Sequence, residues 1–253
     1  MRHFISALAV GGAILFAPPA FSDEIDFRSM SAADRDAFGA QVRAYLLENP
    51  EVIFEAIQIL EARRNAQTQR ADQQLVQSNA EELFNDGYSY VGGNPEGDIT
   101  VVEFLDYRCG FCKRAHPEIA ELLRRDPNVR LVVKEFPILG PDSVAAGRMA
   151  LAALDVDRGR YKALGDELMG YRGNLTEQVA YRLAGDVGFD IAALKERAGS
   201  PEIEERLQSN YQLAQALGLK GTPAFVVGTE VIRGYLPVDD MLSAVQDARS
   251  ELN

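Results

Sequence analysis

The chain contains two cysteines, set three positions apart as Cys109-Gly110-Phe111-Cys112. Two intervening residues bring both sulfurs onto one helical turn, within bonding reach. Such a pair can exchange disulfides, one thiolate attacking and the other resolving the mixed disulfide from inside. It can also bind a soft ion such as copper(I), which needs only two or three ligands. As a purely structural crosslink it would be weak, because closing so small a loop restricts the unfolded chain little. A structural zinc site needs four ligands, usually Cys or His. Past residue 22 the chain offers only the two cysteines and His116. Redox exchange and copper(I) binding stay open, and the redox reading requires no cofactor and no metal.

The pair must be held where a strand gives way to a helix. Ile99 to Tyr107 (ITVVEFLDY) is β-branched and aromatic and reads as a strand. Cys112 to Arg125 reads as a helix with Ala115, Ile119, Leu122 and Leu123 on one face. A helix N-terminus favours a thiolate over a thiol, and Arg108, Lys113 and Arg114 are placed to add positive charge. Cys109 is therefore expected to be exposed with a lowered pKa, and Cys112, one turn in, to be buried. Glu103 shares a strand face with Val101 and Leu105. If buried, its pKa rises and it can pass protons to or from Cys112; the bland alternative is an edge carboxylate facing water. His116, four residues after Cys112, reads as a surface or packing residue.

The rest of the chain supplies an α/β frame. Val129 to Phe136 reads as a second strand, Gly140-Pro141-Asp142-Ser143 offers an N-cap, and Pro137 and Pro141 bracket a turn. Helices are expected near 158–170, 176–187, 190–197 and 201–217, then a turn at Gly218 to Thr222. Short strands at Ala224 to Val227 and Val231 to Arg233 precede a helix from Val238 to Leu252. This order implies an α/β sandwich. Upstream, Phe38, Val42, Tyr45 and Leu46 have helical spacing, Asn49-Pro50 marks a break, and Ile53, Ile57 and Leu60 form a second stripe. Residues 34–60 read as an association module. The polar run from Glu61 to Gln74 belongs to a stalk over 61–85, since a helix polar all round usually bridges in solvent. The competing reading packs 34–85 on the main domain, which is expected to start near Tyr88.

Composition and the N-terminus narrow the setting. Of the 253 residues 47% are hydrophobic, which excludes wholesale disorder. A net charge of −12 disfavours binding to nucleic acid. Arg2 and His3 precede an apolar run from Phe4 to Ala17, broken by Pro18 and Pro19 and followed by Ala20-Phe21-Ser22. This pattern reads as a secretory signal cleaved after Ser22. The run is too short for an ordinary membrane span, and no cysteine follows it to take a lipid anchor. Export would suit a dithiol, because disulfides persist outside the cytosol.

The segment EFLDYRCGFCKRAHP resembles the active-site stretch of the thioredoxin superfamily, and specifically that of exported DsbA-like disulfide oxidoreductases. Glu103 stands six residues before Cys109, where that family has a buried acid, and Lys113 and Pro117 match the helix that follows. Gly221-Thr222-Pro223 resembles the family's loop bearing a cis-proline. The helical insert, about 140–217, resembles the DsbA type, so the likeness spans roughly 88–253. The helices before it resemble those of ScsC-type proteins, DsbA-like isomerases that oligomerise through such a segment. The resemblance implies a thioredoxin-like α/β fold with a helical insertion, preceded by an oligomerisation segment and linker helix over 23–87. It implies an exported, periplasmic thiol-disulfide oxidoreductase, oxidase or isomerase, whose site comprises Cys109, Cys112, Glu103, Thr222 and Pro223. Thr222 would offer its backbone as a strand edge to a client peptide. Protein substrates, a membrane redox partner that recycles the site and a homo-oligomer through 34–60 are implied with it. Gly110 and Phe111 stand where the very oxidising members carry Pro-His, which implies a less oxidising pair.

Overall fold

The structure, a computed structural model, describes residues 30–251, so the signal read at 1–22 lies outside the described residues. Helix α1 (Ala32–Glu48) opens on a capping box. The Ser31 hydroxyl accepts from the Asp34 N–H, and the Asp34 carboxylate accepts from the Ser31 N–H. It stops at Asn49, whose N–H donates to Tyr45 O at 2.8 Å. Helix α2 (Glu51–Ser78) begins just after Pro50, as expected, but runs for 28 residues. No helix end falls between Leu60 and Glu61, because the run beyond holds neither Gly nor Pro. None of α1 is buried, and Val42, Tyr45, Ile53, Phe54, Ile57 and Leu60 stand exposed along these helices. Residues through Leu60 and residues from Glu61 onward form two compact units.

The second unit continues with α3 (Ala80–Phe84), β1 (Tyr90–Gly93), β2 (Ile99–Leu105), α4 (Gly110–Arg125) and β3 (Val129–Glu135). The helical insert is α5 (Pro141–Asp157), α6 (Tyr161–Gly170), α7 (Glu177–Asp186), α8 (Ile191–Ala198) and α9 (Pro201–Ala216). Then follow β4 (Ala224–Val227), β5 (Glu230–Arg233) and α10 (Val238–Ser250). The five strands form one sheet in the order β1-β3-β2-β4-β5. The α4 crossover makes β2 and β3 parallel, and the remaining pairs are antiparallel. Strands β2, β3 and β4 lie in the middle with both faces covered, which explains their near-continuous β-branched and aromatic runs.

Alternate residues serve the two faces. Val101, Leu105, Leu131 and Val133 join the core shared with α4, α10 and the helical insert. Val102, Phe104 and Val132 join Leu213 and Leu217 on the other side, together with Val76 of α2 and Leu83 of α3. The sheet-bearing unit therefore takes in residues well before Tyr88. The end of the polar helix is docked as well as packed, since the buried Asp72 carboxylate receives both Arg233 guanidinium nitrogens at 2.8 Å. Strand β1 was not foreseen. Half of Tyr90-Val91-Gly92-Gly93 is glycine, yet it pairs with β3. At Gly93 (φ +66°) a Cβ would fall 2.5 Å from Val129 O, so only glycine permits the approach.

Leu83→Ala removes a fully buried side chain from the second face and should lower unfolding free energy by about 2–5 kcal/mol in urea denaturation. A loss too small to measure would mean that this segment is not part of the domain core.

Candidate active site

Strand β2 ends at Leu105 and hands the chain to Asp106-Tyr107-Arg108. The Cys109 N–H donates to Asp106 O at 3.0 Å, closing a turn, and Cys109 becomes the N-cap of α4 with extended backbone. Its carbonyl takes the Lys113 N–H at 3.0 Å. Cys112 lies one turn into the helix on the face formed by Ala115, Ile119 and Leu122. Both sulfurs are free thiols. Cys112 is 0% exposed as expected, but Cys109 is only 8% exposed, which corrects the expectation of an open thiol. The cause is the turn before β4. The Thr222–Pro223 peptide is cis, and the Cys109 thiol donates to the Thr222 carbonyl oxygen at 3.1 Å across 113 residues of sequence. The loop singled out by resemblance thus meets the first sulfur.

Hydrogen bonding divides the two thiols. The Cys109 pKa is lowered to about 5, chiefly by the bond it receives from the Cys112 thiol and against the cost of burial. The Thr222 side chain and the N–H groups of Cys112 and Phe111 add to this. In the thiol form the Thr222 hydroxyl is buried with no partner among the described residues; ionisation of Cys109 gives it one. Cys112 is held far above the ordinary thiol range, because its proton is engaged by Cys109 and because it is buried. Arg108, Lys113 and Arg114, expected to add positive charge, are not among the main influences on Cys109. The Arg108 guanidinium reaches Leu139 O at 3.2 Å, the Lys113 ammonium donates to Tyr171 O, and Arg114 lies over the Phe111 ring. His116, half-buried, meets the Asp166 carboxylate at 3.0 Å.

Glu103 is buried in mid-sheet, where burial alone raises its pKa to about 7. Its carboxyl borders a cavity of about 120 Å³ that Tyr107, Tyr161 and His116 also line. Its charge is one of the influences that raise Cys112.

Two further acids escaped the sequence reading. Asp106 is buried, and its carboxylate accepts from Arg108 N–H (2.7 Å), Ile138 N–H (2.9 Å), Leu139 N–H (3.0 Å) and the Ser143 hydroxyl (2.9 Å). It ties the residue before Cys109 to the 137–140 turn and to the start of α5. Gly140, not Ser143, is the N-cap of α5, and no side chain caps it. Glu135 closes β3 and accepts from the Tyr107 and Tyr161 hydroxyls at 2.8 and 2.7 Å. Burial raises its pKa to about 8. An Asp two residues before an amide in a turn is the one local signal for the first; nothing local marks the second.

Asp106→Ala leaves four donors without their acceptor. It should cost at least about 3 kcal/mol of stability, and Asp106→Asn should recover part of it in the same urea titration. Equal losses for both would mean that the carboxylate's acceptors do not hold the turn.

Comparison with known proteins agrees with this geometry. Residues 100–246 match the DSBA-like thioredoxin domain, and residues 34–67 match the N-terminal domain of the copper resistance protein ScsC. A thioredoxin-like oxidoreductase from Silicibacter pomeroyi is 44% identical, with a TM-score of 0.65 over 67% of this chain and 97% of that one. A periplasmic thioredoxin-like protein from Salmonella enterica serovar Typhimurium is 29% identical, with a TM-score of 0.58 over 68% and 95%. Proteus mirabilis ScsC in a transitional conformation is 27% identical, with a TM-score of 0.65 over 88% and 99%. The chain spans only about a quarter of the curated relatives it matches, Na(+)/H(+) antiporters such as NhaA 1 of Salinispora arenicola, 26% identical over 159 residues. On the strength of the domain match across most of its sheet and helical insert, the chain belongs to the DSBA-like thioredoxin domain family.

Proposed function

We propose that the chain is an exported thiol-disulfide oxidoreductase that acts on proteins through Cys109 and Cys112. One observation carries this reading. At the start of α4 the Cys109 sulfur, its pKa lowered to about 5, lies 3.1 Å from the Thr222 carbonyl oxygen at a cis Thr222–Pro223 turn and is backed by the buried Cys112 thiol, whose pKa is held far higher. In the reduced form the Cys109 thiolate attacks one sulfur of a client disulfide. That S–S bond breaks, one client sulfur leaves as thiolate, and a mixed disulfide forms. Cys112 then loses its proton to the Glu103 carboxylate and attacks Cys109 Sγ. The second client thiolate leaves, the Cys109–Cys112 disulfide forms, and two electrons have passed to the client. The reverse sequence oxidises a client dithiol. Resolution by a client's own thiol isomerises it and leaves the pair reduced. Thr222 and Pro223 border the sulfur where a client strand would lie.

The leader at 1–22 and the periplasmic relative support export. The match over 34–67 and the exposed apolar side chains of residues 42–60 support a dimer or trimer, which favours isomerisation because several sites can grip one client. A membrane redox partner would recycle the site. A second reading follows from the copper resistance domain matched at 34–67. Two neighbouring soft sulfurs fit copper(I) as cargo, and titration against a competing chelator decides whether it binds.

With the protein reduced and scrambled ribonuclease, which carries disulfides, as substrate, Cys109→Ser should abolish activity and Cys112→Ala should accumulate a mixed disulfide on Cys109. Full activity in the first variant would sink the assignment of the nucleophile. Glu103→Gln should slow resolution by about 10²-fold and remove an inflection near pH 7 from its rate profile; an unchanged profile would remove Glu103 from the proton path. Light scattering should give a multimer that Ile53→Asp with Ile57→Asp dissociates. A wild-type monomer would remove the isomerase argument.

A further inference from the structure

The main influences on Cys109 are hydrogen bonds and burial, which leaves a second role open to the cations around the dithiol. From Tyr107 to Pro117 there are three formal cations, Arg108, Lys113 and Arg114, and no acid, on a chain of net charge −12. Several arginines elsewhere in this unit meet carboxylates, while Arg130 and Arg158 meet backbone carbonyls. Arg197 and Arg206 share Asp155, Arg233 takes Asp72, and Arg249 takes Asp98 and Asp126. Lys113, Arg114 and Arg172 have no carboxylate within ion-pair distance among the described residues, and Arg108 has one only at 3.8 Å, Asp142.

The acids close by are already taken. Asp106 is buried under four donors, and Glu118 accepts from the Tyr235 hydroxyl and the Val238 N–H. The cations also crowd one another. Burial pushes the Lys113 ammonium pKa down, and the charges of Arg172 and Arg108 beside it push the same way, against the opposing charge of Asp106. Arg114 is exposed yet positioned, its guanidinium 5.2 Å from the Phe111 ring and 5.5 Å from the Tyr235 ring. Phe111 itself, inside the motif, is 55% exposed. An acidic protein has thus gathered unpaired positive charge at the one place where a client must dock, and such charge both steers and selects an anionic partner.

We propose that the rim around Cys109 recognises client segments carrying aspartate or glutamate beside the reacting cysteine, with Arg114, Arg172 and Lys113 as the recognising charges. The proposal rests on the disulfide-exchange reading and names its substrate class. It cannot be mistaken for thiol chemistry. A neighbouring carboxylate raises a client thiol's pKa and lowers its thiolate fraction, so any rate advantage of acidic clients must come from the docking surface.

The test uses the oxidised full chain and three peptides with two cysteines each, identical except for Glu, Gln or Lys on both sides of the first cysteine. Each peptide gives two electrons to the Cys109–Cys112 disulfide and becomes an intramolecular disulfide, followed by quenched alkylation and mass. At low ionic strength the Glu peptide should react about tenfold faster than the Lys peptide, with Gln between. About 0.5 M NaCl should bring all three within about twofold, and Arg114→Gln with Arg172→Gln should erase the order at low salt. Equal rates at low salt, or an order that survives both salt and the double variant, would overturn the acidic-client proposal while leaving disulfide exchange intact. No reaction with any peptide would overturn both.

Discussion

The site depends on the interaction of two sulfurs at the first turn of α4, one at the N-cap and the other a turn inside the helix. It is the largest influence on both thiols and moves them in opposite directions, Cys109 down and Cys112 up. Such an interaction requires that one sulfur caps the helix and the other lies a turn inside it, on the buried face. β2 must therefore end where it does, and the α4 face of Ala115, Ile119 and Leu122 must sink Cys112 into the core. The Thr222 loop completes the arrangement by covering the outer sulfur with a carbonyl and a hydroxyl rather than with bulk solvent.

The same core holds acids at unusual cost. Glu103 and Glu135 are buried on β2 and β3, and burial raises both. Glu135 is offset by two tyrosine hydroxyls, whereas Glu103 faces a cavity and influences Cys112. A buried carboxyl near neutrality stores or releases a proton at little expense, which suits a reaction in which a deeply held thiol must ionise once per turnover. Asp106 works differently. It fixes the backbone that delivers Cys109, through four hydrogen bonds.

Much of this was legible locally. The β-branched run of β2, the apolar face of α4, the helices of the insert and the Asn49-Pro50 break are all short-range patterns, and the elements lie within a few residues of their expected ends. The sulfur pair is legible from its spacing and Thr222-Pro223 through resemblance, and the structure brings them together. What escaped was long-range. The cover over Cys109 comes from 113 residues away, so exposure was misjudged. β1 carries half its length as glycine and is defined by its partner β3. The acceptor roles of Asp106 and Glu135 depend on Ile138, Ser143 and Tyr161, which no spacing rule links to them. The tail of α2 looks solvent-borne by composition, and only Asp72 and Val76 mark the face that docks.

The most direct measurement is the ionisation of Cys109 in the reduced protein, followed by ultraviolet thiolate absorbance and by the pH dependence of alkylation. The account predicts a single thiolate appearing near pH 5, and in Cys112→Ala a midpoint displaced upward toward the ordinary thiol value of about 8.5. A wild-type midpoint already near that ordinary value, or one that Cys112→Ala leaves in place, would contradict it.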